Sequence, residues 1–187
     1  MRIVFRSFIL LVLMLSLVAC KKVLKHEDIP AHIAVGDTYY TQFVIQYEKQ
    51  TYLTTNYRRG TLVPVNTKVR LLEITSKTIK VELLDVAMPL LIKNVEKHTG
   101  DDVFQAFDEL FAIQKRSLAK FNSLEKRQIE DGTVAKGMRK DAVIVAIGYP
   151  PITETYNLKV NTWVYWSGRF NKFNVNFKND KVSSIVD

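Results

Sequence analysis

The chain has almost no cysteine: one in 187 residues, Cys20. A disulfide framework is therefore excluded within one copy, and so is any cysteine-based metal cluster. Histidine is nearly as scarce, with His26, His32 and His98, none of which has a partner at i+2 or i+4 in the manner of helix- or strand-borne metal ligands. No Gly-x-Ser-x-Gly elbow, glycine-rich phosphate loop or Ser-Lys pair is present. Long apolar runs are missing too: the longest, Phe8 to Ala19, falls short of the ~20 residues needed to span a bilayer. Carboxylate pairs occur at Asp101-Asp102 and Glu130-Asp131, but the first sits at a helix start, where capping and the helix dipole explain it, and the second precedes a glycine stop. No catalytic set emerges, no metal site is expected, and the expectation is a non-enzymatic protein.

What is present begins at the N-terminus. Met1 to Ser7 carries Arg2 and Arg6, and a short apolar core follows, ending Leu17-Val18-Ala19-Cys20. This tripartite pattern reads as a secretion signal over residues 1–19. Its end resembles the bacterial lipobox, in which a small residue precedes an obligatory cysteine. The resemblance implies diacylglyceryl modification of Cys20, cleavage before it, and a covalent lipid in place of any other cofactor. Two or more acyl chains hold a protein stably on a membrane, and Lys21, Lys22 and Lys25 would each add roughly 1 kcal/mol on an anionic leaflet. Lys21 after the cysteine, rather than Asp, implies by family rule the outer membrane, facing the periplasm.

The whole chain is basic, with 27 Lys and Arg against 19 Asp and Glu, and stays so once Arg2 and Arg6 are removed. The basic residues are scattered, which favours an anionic envelope surface or an acidic partner over nucleic acid.

Residues 20–36 read as a lipidated tether. From Thr38 the composition turns to Tyr, Thr, Val and Phe, and strands are expected over 38–47, 52–57, 62–63, 68–74, 78–84 and 90–95. In the fifth of these Ile79, Val81 and Leu83 alternate with polar neighbours. Short strands at this spacing predict a small, strongly bent, barrel-like sheet. Val103, Phe104, Phe107, Leu110 and Phe111 then make one apolar stripe on a helix, expected to cover the sheet's open side. Residues 37–114 form the β-rich domain of this reading.

Residues 115–187 have a different order. Helices are expected over 117–130 and 138–147, the second stopped by Gly148 in a left-handed cap and by Pro150-Pro151. Strands follow over 156–160, 162–166, 170–177 and 182–186, with hairpin chemistry at Asn179-Asp180. The fold class is thus α+β, the second part a two-helix layer on three antiparallel strands. The strings Gly137-Met138-Arg139-Lys140-Asp141-Ala142-Val143, Ala146-Ile147-Gly148-Tyr149-Pro150-Pro151 and Trp163-Val164-Tyr165 resemble the SmpA/OmlA (BamE-like) lipoprotein domain over roughly the last 70 residues. That resemblance implies two helices packed on three strands, Trp163 beneath the helices, and a role beside the machinery that inserts β-barrel proteins into the outer membrane. The unit also resembles the repeats of β-lactamase inhibitor proteins. This chain differs by carrying Arg139 where a capping Thr or Ser is usual.

Two stretches are candidate binding surfaces. Tyr52, Tyr57, Arg58 and Arg59 combine residue types enriched at interface hot spots, and the Arg pair could hold a carboxylate or phosphate. Trp163 and Tyr165 share one strand face and Val164 and Trp166 the other, so a second cover is needed for Trp166; Tyr149 flanks the same region. The expected function is a scaffold or accessory factor in outer-membrane protein assembly or envelope maintenance. An inhibitor or sensor of an envelope hydrolase and a glycan- or ligand-binding module are the alternatives.

Overall fold

The computed structural model describes residues 28–187, so the signal segment, Cys20, the three following lysines, His26 and most of the tether lie outside the described residues. The protein is mixed α+β, built on a curled half-barrel sheet. Strands β1 (Thr38–Thr41), β3 (Thr51–Leu53), β5 (Lys68–Ile74), β6 (Thr78–Leu83), β7 (Met88–Lys93) and β8 (Phe111–Ala112) form it in the order β3-β7-β6-β5-β1-β8. The alternation in β6 is obeyed: Ile79, Val81 and Leu83 point inward and are almost fully buried. In β5 the register slips between Leu71 and Glu73, so Ile74 rather than Glu73 turns inward and Leu72 is left on the outside. An extra residue in one strand bends a sheet and sharpens its twist, which helps curl this one.

The expected strand 38–47 is two strands in different sheets. Between them the Gln42 amide donates to the Leu110 carbonyl (2.9 Å) and the Val44 amide to that of Val145 (3.0 Å). These bonds draw the chain off the first sheet, and β2 (Ile45–Tyr47) pairs with β4 (Thr61–Val63) instead. The expected strand 52–57 stops at Leu53. A turn follows, with Asn56 at positive φ (59°), a conformation Asn tolerates better than most residues.

After a short helix α1 (Glu96–Thr99), helix α2 (Val103–Leu110) covers the sheet. Asp102 caps it, accepting from the amides of Phe104 and Gln105 while Gln105 reaches back to the Asp102 amide. Val103, Ala106, Phe107 and Leu110 are buried, and Phe107 meets Tyr39 edge-on at 4.9 Å. A buried side chain of this size contributes about 1.5–3 kcal/mol. Phe111 departs from the stripe: it ends the helix, opens β8 and there pairs with Thr41 of β1.

The second layer comprises α3 (Ser123–Asp131), α4 (Lys140–Ile147) and the antiparallel sheet β11-β10-β9 (Lys181–Val186, Lys172–Lys178, Thr162–Trp166). The first helix begins six residues later than expected. Asn122 is a strong cap, in a reciprocal box with Glu125, and the residues before it form a turn closed from Phe121 to Leu118. The expected strand 156–160 is absent, because the Asn157 side chain takes the Lys159 amide and folds that segment into an Asx turn. Residues 170 and 171, expected to open β10, instead close a loop in which the Ser167 and Gly168 amides donate to the Asn171 carbonyl. Asn179 and Asp180 both have positive φ, as a tight hairpin requires. Every residue of α4 from Ala142 to Ile147 is buried. A helix apolar all round needs neighbours on several sides; α4 has its own sheet and α3 on some and Phe43-Val44 of the first layer on another. Two apolar clusters result, and Tyr149 packs against both.

Candidate functional site

Where the two clusters meet, the chain leaves a cavity of about 160 Å³, space for about five waters at ~30 Å³ each. Tyr52 and Thr54 enter it from the end of β3, His98 and Asp101 from α1 and its exit, Ala106, Glu109 and Leu110 from α2, and Tyr149 from the turn after α4. Exposed Tyr156, Ile152 and Leu158 line it as well and mark its mouth.

Local chemistry places each wall. Gly100 ends α1 in the left-handed conformation (φ 78°). Asp102 is spent on capping α2, so of the Asp101-Asp102 pair only the second is explained by the helix start. The Asp101 carbonyl accepts from the Asn94 side chain (2.7 Å), which itself accepts from Thr54, tying α1's exit to the end of β3. Asn56 donates to the carbonyls of Ile147 (2.7 Å) and Tyr149 (2.9 Å), and Tyr165 donates to that of Gly148 (2.9 Å). The backbone at Gly148 has φ 74° and ψ −169°, not the left-handed cap expected, and a Cβ there would lie 2.7 Å from the Phe43 ring and 2.9 Å from the Asn56 amide. Only glycine turns the chain that sharply against those neighbours, and the turn is what delivers Tyr149 to the cavity.

The cavity lining holds carboxyls and phenols but no lysine or arginine, although Arg58 and Arg116, outside the lining, partly offset burial at Tyr52 and Tyr149. Burial, and then the neighbouring Asp101 charge, push the Glu109 carboxyl up to about 7. Burial also raises Asp101, with Asp102 adding to it. The Tyr149 and Tyr52 hydroxyls are raised, again chiefly by burial. Among the described residues no hydrogen bond or ion pair reaches the Glu109 or Asp101 carboxylate, or the Tyr52 or Tyr149 hydroxyl. The other acids that are buried or half-buried each have a cation of their own. A shallower hollow of about 460 Å³ beside β3 contains Glu48 and Arg59, already paired at 2.7 Å.

The eight expected binding residues separate into three groups. Tyr52 and Tyr149, distant in sequence, meet in the cavity. Tyr57, Arg59 and Trp166 make a second patch: Tyr57 lies 5.8 Å from Trp166, Arg59 sits over the Tyr57 ring, and His98 and Lys172 flank Trp166 at 5.4 and 5.1 Å. Arg58, Trp163 and Tyr165 belong to the interior. The expectation that Arg58 offers its guanidinium to an outside anion is corrected: it donates to the carbonyls of Val44 (3.1 Å) and Gly132 (3.2 Å) and to the Asn56 side chain. Burial also lowers Arg58 to about 10. Trp163 and Tyr165 are at most 1 % exposed, and the Trp163 ring nitrogen donates to the Leu158 carbonyl.

Arg139, which stands before α4 where a capping side chain was expected, has a structural reason. It stands at the N-cap of α4 without capping it and binds buried Glu125 through two nitrogens, each at 2.9 Å. Its side-chain bonds to Glu125, followed by backbone donors, hold that carboxyl down at about 2 despite burial. The pair links α3 to α4 and is remote from the cavity lining.

Glu109, Asp101 and His98 were not singled out from sequence as binding groups. The faint signal for Glu109 is its place three residues after Ala106, on the flank of an otherwise apolar stripe. No family model, curated protein or solved structure matches this chain. No helix among the described residues is long and apolar enough to cross a membrane.

Proposed function

We propose that this chain is a non-enzymatic lipoprotein, anchored through Cys20 to the outer membrane and facing the periplasm, that docks envelope proteins as a scaffold or accessory factor in outer-membrane protein assembly or envelope maintenance. The observation that carries a docking role is the cavity between the two layers, with unanswered polar groups inside and Tyr156, Ile152 and Leu158 exposed at its mouth. Small polar hollows rimmed by exposed apolar side chains suit recognition of a partner's side chain. The lipobox supports the address. The two helices on three antiparallel strands support the SmpA/OmlA (BamE-like) reading of residues 115–187, because that is the unit the resemblance implies. In this reading residues 37–114 are a separate β-rich module that supplies most of the cavity wall.

The test is capture of the lipidated protein from its own envelope in mild detergent, followed by mass spectrometry, beside a Cys20→Ser form. Barrel-assembly components or outer-membrane barrels enriched with the native form and lost with the variant are the expected result. Co-purification with no envelope protein would sink the proposal. Enrichment of one hydrolase, kept without the lipid, would replace it with the inhibitor reading.

A further inference from the structure

Six acidic residues among the described ones are buried or half-buried: Glu82, Asp101, Glu109, Glu125, Asp141 and Glu154. Four have a cation of their own, in Arg70, Arg139, Lys120 and Lys172. The two that do not, Asp101 and Glu109, come from different elements and line the same cavity. A carboxylate removed from water without a counter-charge is costly, and this basic chain had cations to spare. Holding both acids in one hollow leaves a place for a positive charge from outside.

A second feature points the same way. Tyr52 is only 3 % exposed, yet its hydroxyl, in the cavity wall, has no hydrogen-bond partner among the described residues. The hydroxyl is open to the cavity rather than sealed in the core, so a ligand there can supply the bond that a buried tyrosine normally makes. The half-buried Tyr149 hydroxyl is in the same condition. Ionised carboxylates only accept, and phenol oxygens accept as well as donate, so the cavity is rich in acceptors; against them the lining sets the His98 ring, the Asn157 amide, and an Asn56 amide already spent on two carbonyls.

We propose that this cavity binds an organic cation, a primary ammonium or a guanidinium, carried by a lysine or arginine side chain of a docked protein or by a free small amine. An ammonium brings three N–H donors and a guanidinium five, enough to serve both carboxylates and both phenols. The Tyr faces favour a cation, and Phe43, Ala106 and Leu110 offer apolar wall to its methylene stem. An inorganic cation fits less well, since among the described residues no three His, Cys, Asp or Glu side chains are grouped to hold a metal ion. The inference rests on the reading of this cavity as the docking point and names the chemistry it recognises.

The test titrates the full chain in a non-ionic detergent by calorimetry with butylammonium chloride, N-acetyl-lysine methylamide, N-acetyl-arginine methylamide, and 1-butanol as the uncharged match to the first. Saturable binding of the cations, with butanol weaker by at least about tenfold, is expected. Glu109→Gln should lose at least about tenfold in cation affinity, while Glu48→Gln, in the other hollow, should change it little. A lysine or arginine amide binding well above butylammonium assigns the site to a side chain of a docked protein; equal binding assigns it to a free amine. Butanol binding as well as butylammonium, or no cation binding at millimolar concentration, overturns the inference, and neither outcome needs a variant to fold. Partner capture that persists without any cation binding would overturn this inference alone and leave the docking role standing.

Discussion

Glu109 makes the fold sensitive to pH in a direction opposite to most surface carboxylates. Its carboxyl moves from an ordinary 4.5 to about 7 on folding, first through burial and then through Asp101. Below pH 4.5 it is protonated in both folded and unfolded chains, so it has no effect. Between 4.5 and 7 the folded chain holds the proton and the unfolded chain does not, so stability falls as pH rises, and above 7 the full penalty is present. A shift of that size corresponds to ~3.4 kcal/mol. Glu109 is only half-buried, so solvent screens part of it and about 1–2 kcal/mol is expected. Glu109→Gln keeps the shape and removes the charge. The variant should match the native chain near pH 4.5 and exceed it at pH 8 by that amount, a rise in Tm of about 3–6 °C for a domain of this size. Urea melts of both proteins from pH 4.5 to 8.5 measure it. A constant difference across that range, or a variant less stable at pH 8, would refute the claim that the Glu109 charge is uncompensated.

Gly148→Ala should destabilise by about 2–4 kcal/mol, combining the strain of a side chain at positive φ and extended ψ with overpacking against Phe43 and Asn56, as read by chemical denaturation. Asn56→Ala strips the buried carbonyls of Ile147 and Tyr149 of their donor and should cost about 2–4 kcal/mol, with loss of any ligand-induced stabilisation at the cavity. Glu125 behaves in the usual acidic direction: its folded carboxyl lies at about 2, so its stabilising share is whole above 4.5 and disappears as pH falls through 2. Glu125→Gln should therefore lower Tm at pH 7, with the gap to the native chain closing as pH falls toward 2; a gap that does not narrow would count against the bond to Arg139 as its cause.

Local patterns were the legible part of this molecule. Ile79, Val81 and Leu83 at period two gave the middle strand, and Asn179-Asp180 gave the hairpin, because a strand face and a tight turn are each decided by neighbours within a few residues. The stripe at Val103, Phe107 and Leu110 announced α2 for the same reason. Predictions failed where a short-range competitor won: Asn122 capped α3 late, and Asn157 bent a segment that looked extended. They failed again where distant backbone intervened, as when Leu110 and Val145 drew Gln42 and Val44 off the first sheet. The aromatic and basic cluster at 52–59 was visible as a cluster but not as what became of it. Arg58 turned inward to satisfy carbonyls more than a dozen residues away in either direction, while Tyr52 became a wall.

By itself the sequence determined that the described chain folds as α+β, which segments alternate, which stripe a helix buries, and that the chain as a whole is basic. Tertiary structure alone decided that Tyr52, Asp101, Glu109 and Tyr149 share one cavity without a cation among them. Periodicity records which face of an element is apolar, a property of residues a few positions apart. The charge balance of a cavity depends on which elements pack together and on which acids find partners first, and that is settled only when both layers close.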